Sequence, residues 1–444
     1  MATYREKRGT NTVPIVSSAP GSGVNGEIVY ITGEGLASYN NGTWSKLTAT
    51  TPSNDWTTTA QQAKIQASDA AENDQFGYEN GMIDSNTVVI GAHFDQPSGS
   101  GSSTQPGAAY VFTRSGTTWS QQAKLVASDP EAGDRFGSAA AVSGDTIVIG
   151  AKSEDTVASN AGAAYVFIRS GTTWAQQAKL TASDGAASDL FGIRASIAGD
   201  TIVIGAPLHN SRTGAAYVFT RSGTTWSQQA KLTASDAADD DYFGHSVNIS
   251  GDTVVVGAYR EDAGGSNAGA AYVFTRSGTS WSQQAKLTAS DPASNDYFGR
   301  TAIGISGDTV AVGASLKPYS GLVVKGAAYI FTRSGTSWSQ QAKLTASDAE
   351  NGDQFGNTIA ITGDTVVVGA HEEDTGGSKA GAAYIFTRSG TSWTEAKKIQ
   401  ASDAGAGDEF GNFVGISGNT VLVTAYLEDT GGNNAGAAYT FVAG

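Results

Sequence analysis

The sequence predicts an all-β fold: a seven-bladed β-propeller of four-stranded blades over residues 56–444, preceded by a small β-hairpin segment within residues 1–55. Three observations predict it. Phe-Gly recurs seven times, beginning at Phe76, Phe136, Phe191, Phe243, Phe298, Phe355 and Phe410, at intervals of 52 to 60 residues. Each copy continues through the same succession of strand-like runs and turn residues. The array opens on the last kind of run and stops on the third, so its ends complement each other. Regular self-similarity at this period is the signature of a propeller or solenoid.

The fourth unit shows the elements in order. Strand A, 243–250, carries small residues. Ser-Gly-Asp turns it into strand B, 253–258, which is β-branched. Gly269-Ala-Ala-Tyr opens strand C, 270–276. Arg-Ser-Gly-Thr then turns the chain into strand D, 281–288, where Trp281 and Leu287 are separated by polar residues. β-Branched runs bounded by Gly, Asp and Ser are strands joined by tight turns. No window carries a 3.6-residue apolar period, so almost no helix is expected. Residues 56–66 are a D-type run, and the chain ends just after Phe441, in a C-type run. Pairing the two completes the last blade and leaves only short protected edges. An open β-solenoid is the alternative, and it would call for capping repeats.

The first 55 residues fall outside the repeat. Residues 1–22 are polar and turn-rich and read as an extended arm. Ile28, Tyr30 and Leu36, with Asn41-Gly42 before Trp44, predict the hairpin.

Composition narrows the function. There are 57 Gly, 9 Pro and no Cys in 444 residues. The lack of Cys excludes disulfide scaffolds, thiolate metal sites and cysteine catalysis. With 42 acids against 27 bases the net charge is −15, so no nucleic-acid surface is expected. No run approaches ~18 apolar residues, so no helical membrane insertion is expected. No apolar stretch follows the first eight residues, so no secretory signal is expected.

Blade topology locates the charge. The D–A and B–C connections share one face, and they hold 30 of the 42 acids. Asp pairs five residues apart recur in all seven D–A loops, for example Asp236/Asp241 and Asp348/Asp353. Such an Asp accepts backbone N–H bonds and fixes a turn, and sevenfold recurrence fits a role in the fold. Weak calcium binding at these pairs is the alternative. A glycosidase needs its carboxylate pair once, not seven times. The four His are scattered, and His93 and His371, which share a blade position, read as surface rim residues. The recurrent Trp reads as packing of the outer strand. There is no Gly-x-Ser-x-Gly elbow. No enzymatic activity and no required cofactor are expected.

Phe-Gly, a β run ending Gly-Ala, then Gly-Ala-Ala-Tyr-Val-Phe resembles the FG-GAP repeats of integrin α subunits and of many bacterial and viral surface proteins. The resemblance covers residues 56–444 and implies a propeller used for binding or adhesion. One departure matters. Calcium-binding FG-GAP repeats carry an Asp-rich loop between strands A and B, whereas here that loop is Ser-Gly-Asp-Thr or a near variant. It offers too few oxygens for six- to eightfold coordination, so the family's calcium sites are not carried over. Gly26–Thr48 is similar to N-terminal segments of tailed-phage structural proteins. That similarity implies a virion tail or fibre protein, assembled in the host cytoplasm. Its N-terminal segment would contact other virion proteins, and its propeller a host-surface glycan or protein. A virion decoration protein and a bacterial surface or secreted adhesin are the alternatives. Fibre proteins are often trimers, so a homo-oligomer stays open.

Specificity is sought where the blades differ. The residue before Phe-Gly is Gln75, Arg135, Leu190, Tyr242, Tyr297, Gln354 or Glu409. The residue after the strand-B Gly-Ala, or Thr-Ala in the last blade, is His93, Lys152, Pro207, Tyr259, Ser315, His371 or Tyr426. Both sets are expected to line the acidic face. Two distinctive loops join them, 94–105 and 316–325, the latter with Lys317 and Tyr319. Tyr beside polar groups is typical of recognition surfaces.

Overall fold

A computed structural model describes residues 15–16, 28–31, 35–40, 43–46, 55–78, 80–95, 105–316, 318–319 and 323–444. The chain divides into two compact units, Met1–Asp55 and Trp56–Gly444.

In the first unit, strands Ile15–Val16, Ile28–Ile31, Gly35–Asn40 and Thr43–Lys46 form one sheet in that order. The first pair is parallel and the others antiparallel. The expected hairpin is therefore one part of a four-stranded sheet. The Asn41-Gly42 turn and most of the arm lie outside the described residues.

The second unit is a propeller of seven four-stranded antiparallel sheets, each ordered A-B-C-D. In blade four the strands are Phe243–Ser250, Thr253–Ala258, Ala270–Ser277 and Ser280–Leu287. Phe243 pairs with Ala258 and Ala258 with Ala270 at one end, while Ser250 pairs with Thr253 at the other. The D–A and B–C loops therefore share a face. The A strands surround a cavity of about 170 Å³ lined by Asn80, Met82, Arg194, Asn248 and Phe413, among others.

The last sheet joins Phe413–Ser417, Thr420–Ala425 and Ala437–Val442 to Ala60–Ile65. Ala60 pairs with Val442 and Ile65 with Ala438, so the segment after residue 55 closes the ring. The closing strand is shorter than the expected 56–66. Trp56–Thr58 form a 3₁₀ turn, and Trp56 is buried, its Nε1 donating to Thr365 Oγ1 at 3.2 Å.

The reason lies one blade back. Every C–D pair is bulged, with one strand-D residue left out of register. In six blades that residue is the second Gln of Gln-Gln, and it accepts the indole N–H of the next blade's Trp. Examples are Trp226 on Gln177 at 2.9 Å and Trp281 on Gln229 at 2.8 Å. The first Gln accepts a D–A loop amide of the preceding blade, as Gln283 does from Ser235 at 2.9 Å. In blade six Gln-Gln is replaced by Glu395-Ala396. No amide waits for Trp56, and it packs into the core beside Ala396 instead.

Core packing is repeated between blades. Strand B is buried along its whole length in most blades. The Phe of Phe-Gly meets the next Tyr and Phe of strand C edge-on, as Phe243 does Tyr272 (5.6 Å between centroids) and Phe274 (5.9 Å). Each such Phe contributes about 1.5–3 kcal/mol through burial. Backbones touch directly where the glycines stand. A Cβ on Gly205 would overlap the carbonyl oxygen of Gly244 in the next blade, so only Gly fits.

On the opposite face each repeated Arg ties two blades. Arg276 donates to Asp252 in its own A–B turn (2.7 Å) and to Thr201 of the preceding blade (3.0 Å), and it lies over Trp281. Arg114 reaches Thr420 in the same way and crosses the point of closure. These pairings account for that face's balanced charge.

Candidate functional site

The D–A/B–C face holds a repeated clasp. In blade four the Lys286 ammonium lies 2.7 Å from Asp236 and 2.8 Å from Glu261. In blade six Lys398 lies 2.6 Å from Asp348 and 2.8 Å from Glu373, and the Tyr384 hydroxyl donates to Asp348 at 2.8 Å. Burial pushes the Asp348 carboxyl upward, but Lys398 and Tyr384 outweigh it and hold it below the ordinary range. The second Asp of each pair does a different job. Asp241 accepts the Ala238 N–H at 2.8 Å and Asp353 the Glu350 N–H at 2.6 Å, and the same bond recurs in all seven loops. Burial raises Asp241 and Asp353 above the ordinary range, Asp134 to about 6 and Asp74 to about 7. The four Asp weighed as calcium ligands are thus engaged by lysines and by backbone amides. Among the described residues no three His, Asp or Glu side chains converge as metal ligands.

Blade three varies the clasp. His209 stands where other blades place a B–C acid. Its Nδ1 is 2.8 Å from Asp189 and its Nε2 2.8 Å from the Lys231 ammonium. The ammonium can only donate, so Nε2 accepts and Nδ1–H points at Asp189.

Inside this ring of clasps lies the variable rim. All seven residues before Phe-Gly have left-handed backbone, with φ from 52° to 60°. That conformation costs a bulky residue on the order of 1 kcal/mol. Backbone bonds to the preceding B–C loop impose it: Tyr242 N–H donates to Arg212 O at 2.9 Å and Phe243 N–H to Thr213 O at 3.1 Å. Side-chain identity is left free, and it varies.

The structure brings three of the expected tyrosines together. Tyr259 lies 5.2 Å from Tyr242 and 5.6 Å from Tyr297, ring to ring. Sequence reasoning missed three neighbours. Arg260 lies over Tyr242 (4.7 Å) and Tyr259 (5.5 Å), and Arg300 over Tyr259 (5.9 Å). The His245 ring is 4.7 Å from that of Tyr259, and its Nδ1 lies 2.7 Å from Arg300 O. His245 and Arg300 directly follow Phe-Gly, a position that varies as much as the two singled out and was available as a signal. Burial raises the Tyr259 hydroxyl, with the two arginine charges pulling against it.

A second aromatic group joins the first and last blades. Tyr78 lies 4.7 Å from Tyr426 and 5.5 Å from His93, and Arg135 lies over Phe94 at 4.2 Å. His93 and His371 are buried, 3% and 8% exposed, which corrects their reading as surface rim residues. Their neighbours on the rim cover them: Tyr78 and Phe94 lie against His93, and Glu409 is 3.9 Å from His371. Gln75, Lys152 and Gln354 hold the corresponding rim positions of blades one, two and six. Lys317 and most of loop 94–105 lie outside the described residues. Tyr319 belongs to a short strand, Pro318–Tyr319, paired with Val323–Val324, and its side chain lies outside the description.

The family model for the FG-GAP repeat matches residues 59–112, 119–167, 174–219, 226–274, 281–331, 338–386 and 393–441. No curated protein matches the chain. Seven consecutive matches, each running from the D strand of one blade through the A, B and C strands of the next, cover most of the sequence, and the chain belongs to the FG-GAP repeat family.

Proposed function

We propose that the protein is a non-enzymatic recognition propeller, with the D–A/B–C face as its binding surface. The observation that carries this reading is the meeting of Tyr242, Tyr259 and Tyr297 with Arg260 and Arg300 on one side of the rim. Framework positions repeat from blade to blade, while adjoining blades place three Tyr and two Arg at the positions that vary. Tyr and Arg, with Trp, are the residues enriched at binding hot spots. The Asp pairs are engaged in holding loops, which supports a role without catalysis. The similarity of Gly26–Thr48 to tailed-phage segments supports a virion tail or fibre protein attached through residues 1–55. Its propeller then meets a glycan or protein on the host surface. Binding of the labelled full chain to candidate host cells tests the reading. Saturable binding, weakened at least tenfold by Tyr259→Ala in a variant that keeps its β-sheet circular dichroism, is expected. Equal binding by wild type and variant overturns the proposed face. Finding the chain in purified virions by mass spectrometry tests the virion assignment separately.

A further inference from the structure

Within that reading, and resting on it, we infer that the tyrosine–arginine cluster between blades four and five is a site for a saccharide bearing a single carboxylate. The argument starts from charge. The chain carries −15 overall and places most of its acids on this face. The D-strand lysines beside the cluster are engaged: Lys286 lies between Asp236 and Glu261, and Lys343 lies on Asp291. Arg260 and Arg300 are different. Neither forms an ion pair with a carboxylate among the described residues, and the Nε of each is buried without a hydrogen-bond partner. Both guanidinium groups lean on the ring of Tyr259, at 5.5 and 5.9 Å. Two guanidinium groups with no carboxylate partner among the described residues, beside one aromatic ring, leave positive charge on this rim for an anion from outside to meet. A guanidinium fork matches a carboxylate in shape and donor geometry.

The surroundings narrow the anion. Acidic loops flank the cluster, including Asp239, Asp240 and Asp241 before Tyr242 and Glu261 and Asp262 after Arg260. A polyanion would place further charges against them, so a ligand with one localised charge fits and a polysulfated chain or nucleic acid does not. The rings narrow the rest. Tyr242 and Tyr297 are half-buried, and Tyr259 forms the floor between them. A half-buried Tyr offers a ring face to stack on and a hydroxyl to hydrogen-bond. A sugar ring carrying a carboxylate uses the ring face, the hydroxyl and the guanidinium together. An inorganic anion uses only the last, and a neutral sugar only the first two.

The test uses the full chain on an array of glycans that are neutral, sialylated, uronate-bearing or polysulfated, with an acidic peptide as competitor. Binding confined to sialylated or uronate-bearing glycans is expected. Arg260→Gln and Arg300→Gln should each weaken it at least tenfold. Arg260→Lys, which keeps the charge and loses the fork, should restore only part. Circular dichroism and melting temperature confirm that each variant is folded. Binding to neutral or polysulfated glycans that the Arg variants leave unchanged overturns the inference, as does equal competition by the peptide. If Tyr259→Ala still abolishes such binding, the recognition face stands and only the ligand class fails. Absence of binding to every glycan also overturns the inference, and binding to whole cells then decides the broader reading.

Discussion

At the scale of single residues, the two aspartates of five D–A loops, those of Asp69/Asp74, Asp129/Asp134, Asp236/Asp241, Asp348/Asp353 and Asp403/Asp408, respond to acid in opposite directions. Asp74 and Asp134 are held above the ordinary carboxylate range by burial, at about 7 and about 6. In that range the folded chain keeps protons the unfolded chain has released. Their contribution is complete below about pH 4 and fades as pH climbs through about 7. Asp348 and Asp403 are held low against the pull of burial, by Lys398 with Tyr384 and by Lys64 respectively. Their contribution is complete above about pH 4 and disappears below it. Melting temperature should therefore peak near pH 5 and fall towards pH 8. Asp74→Asn keeps the oxygen that accepts the Ala71 N–H but cannot titrate, so it should flatten that fall by about 2 °C. An unchanged slope would refute the account. The lysine clasp carries a second prediction. An ammonium already sits between the paired carboxylates, so EDTA or millimolar calcium should shift the melting temperature by less than about 1 °C. The N–H accepted by the second Asp is three residues away and was legible in the loop sequence. The lysine is about 50 residues on, and only the blade geometry pairs them.

At the scale of the strand, what holds one blade to the next is backbone proximity and one recurrent amide. Gly205→Ala would drive a methyl into the Gly244 carbonyl and should cost more than about 3 kcal/mol, read as a large loss of melting temperature or of soluble protein. Trp281→Phe removes the N–H donated to Gln229. Combined with Gln229→Ala in a double-mutant cycle, it should show a coupling of about 1 kcal/mol. No coupling would mean that the bulge, not the hydrogen bond, sets the position of this Gln. Strand limits were legible to within a residue or so in blade four, because Ser-Gly-Asp and Ser-Gly-Thr admit little besides a tight turn. The closing strand was over-extended because its Trp matched the repeat. The change that releases Trp56 sits in a different blade, at Glu395-Ala396, and nothing local to Trp56 reveals it.

At the scale of the molecule, ring closure is the feature that local sequence could suggest and only assembled strands could complete. Residues 60–65 supply the outer strand of the last blade, and Lys64 pairs there with Asp403 and Glu428. A chain starting at residue 67 should melt at least ~10 °C below one starting at residue 56, or aggregate through the bared edge of Ala437–Val442. Equal stability would show that the first six blades do not depend on closure. The rim was half legible for a related reason. Variable positions can be read blade by blade, but which of them touch depends on how blades four and five abut, and that brought in Arg260, Arg300 and His245. Closure also sets a clock. Ala60 leaves the ribosome about 380 residues before its partner Val442, which at ~5–20 residues per second means a wait of tens of seconds. Throughout that interval the earliest strand has no mate, and the nascent chain presents open sheet edges to its neighbours. A stalled or prematurely terminated product never loses them. The protein's yield in a cell should therefore track translation speed and chaperone supply more closely than its equilibrium stability.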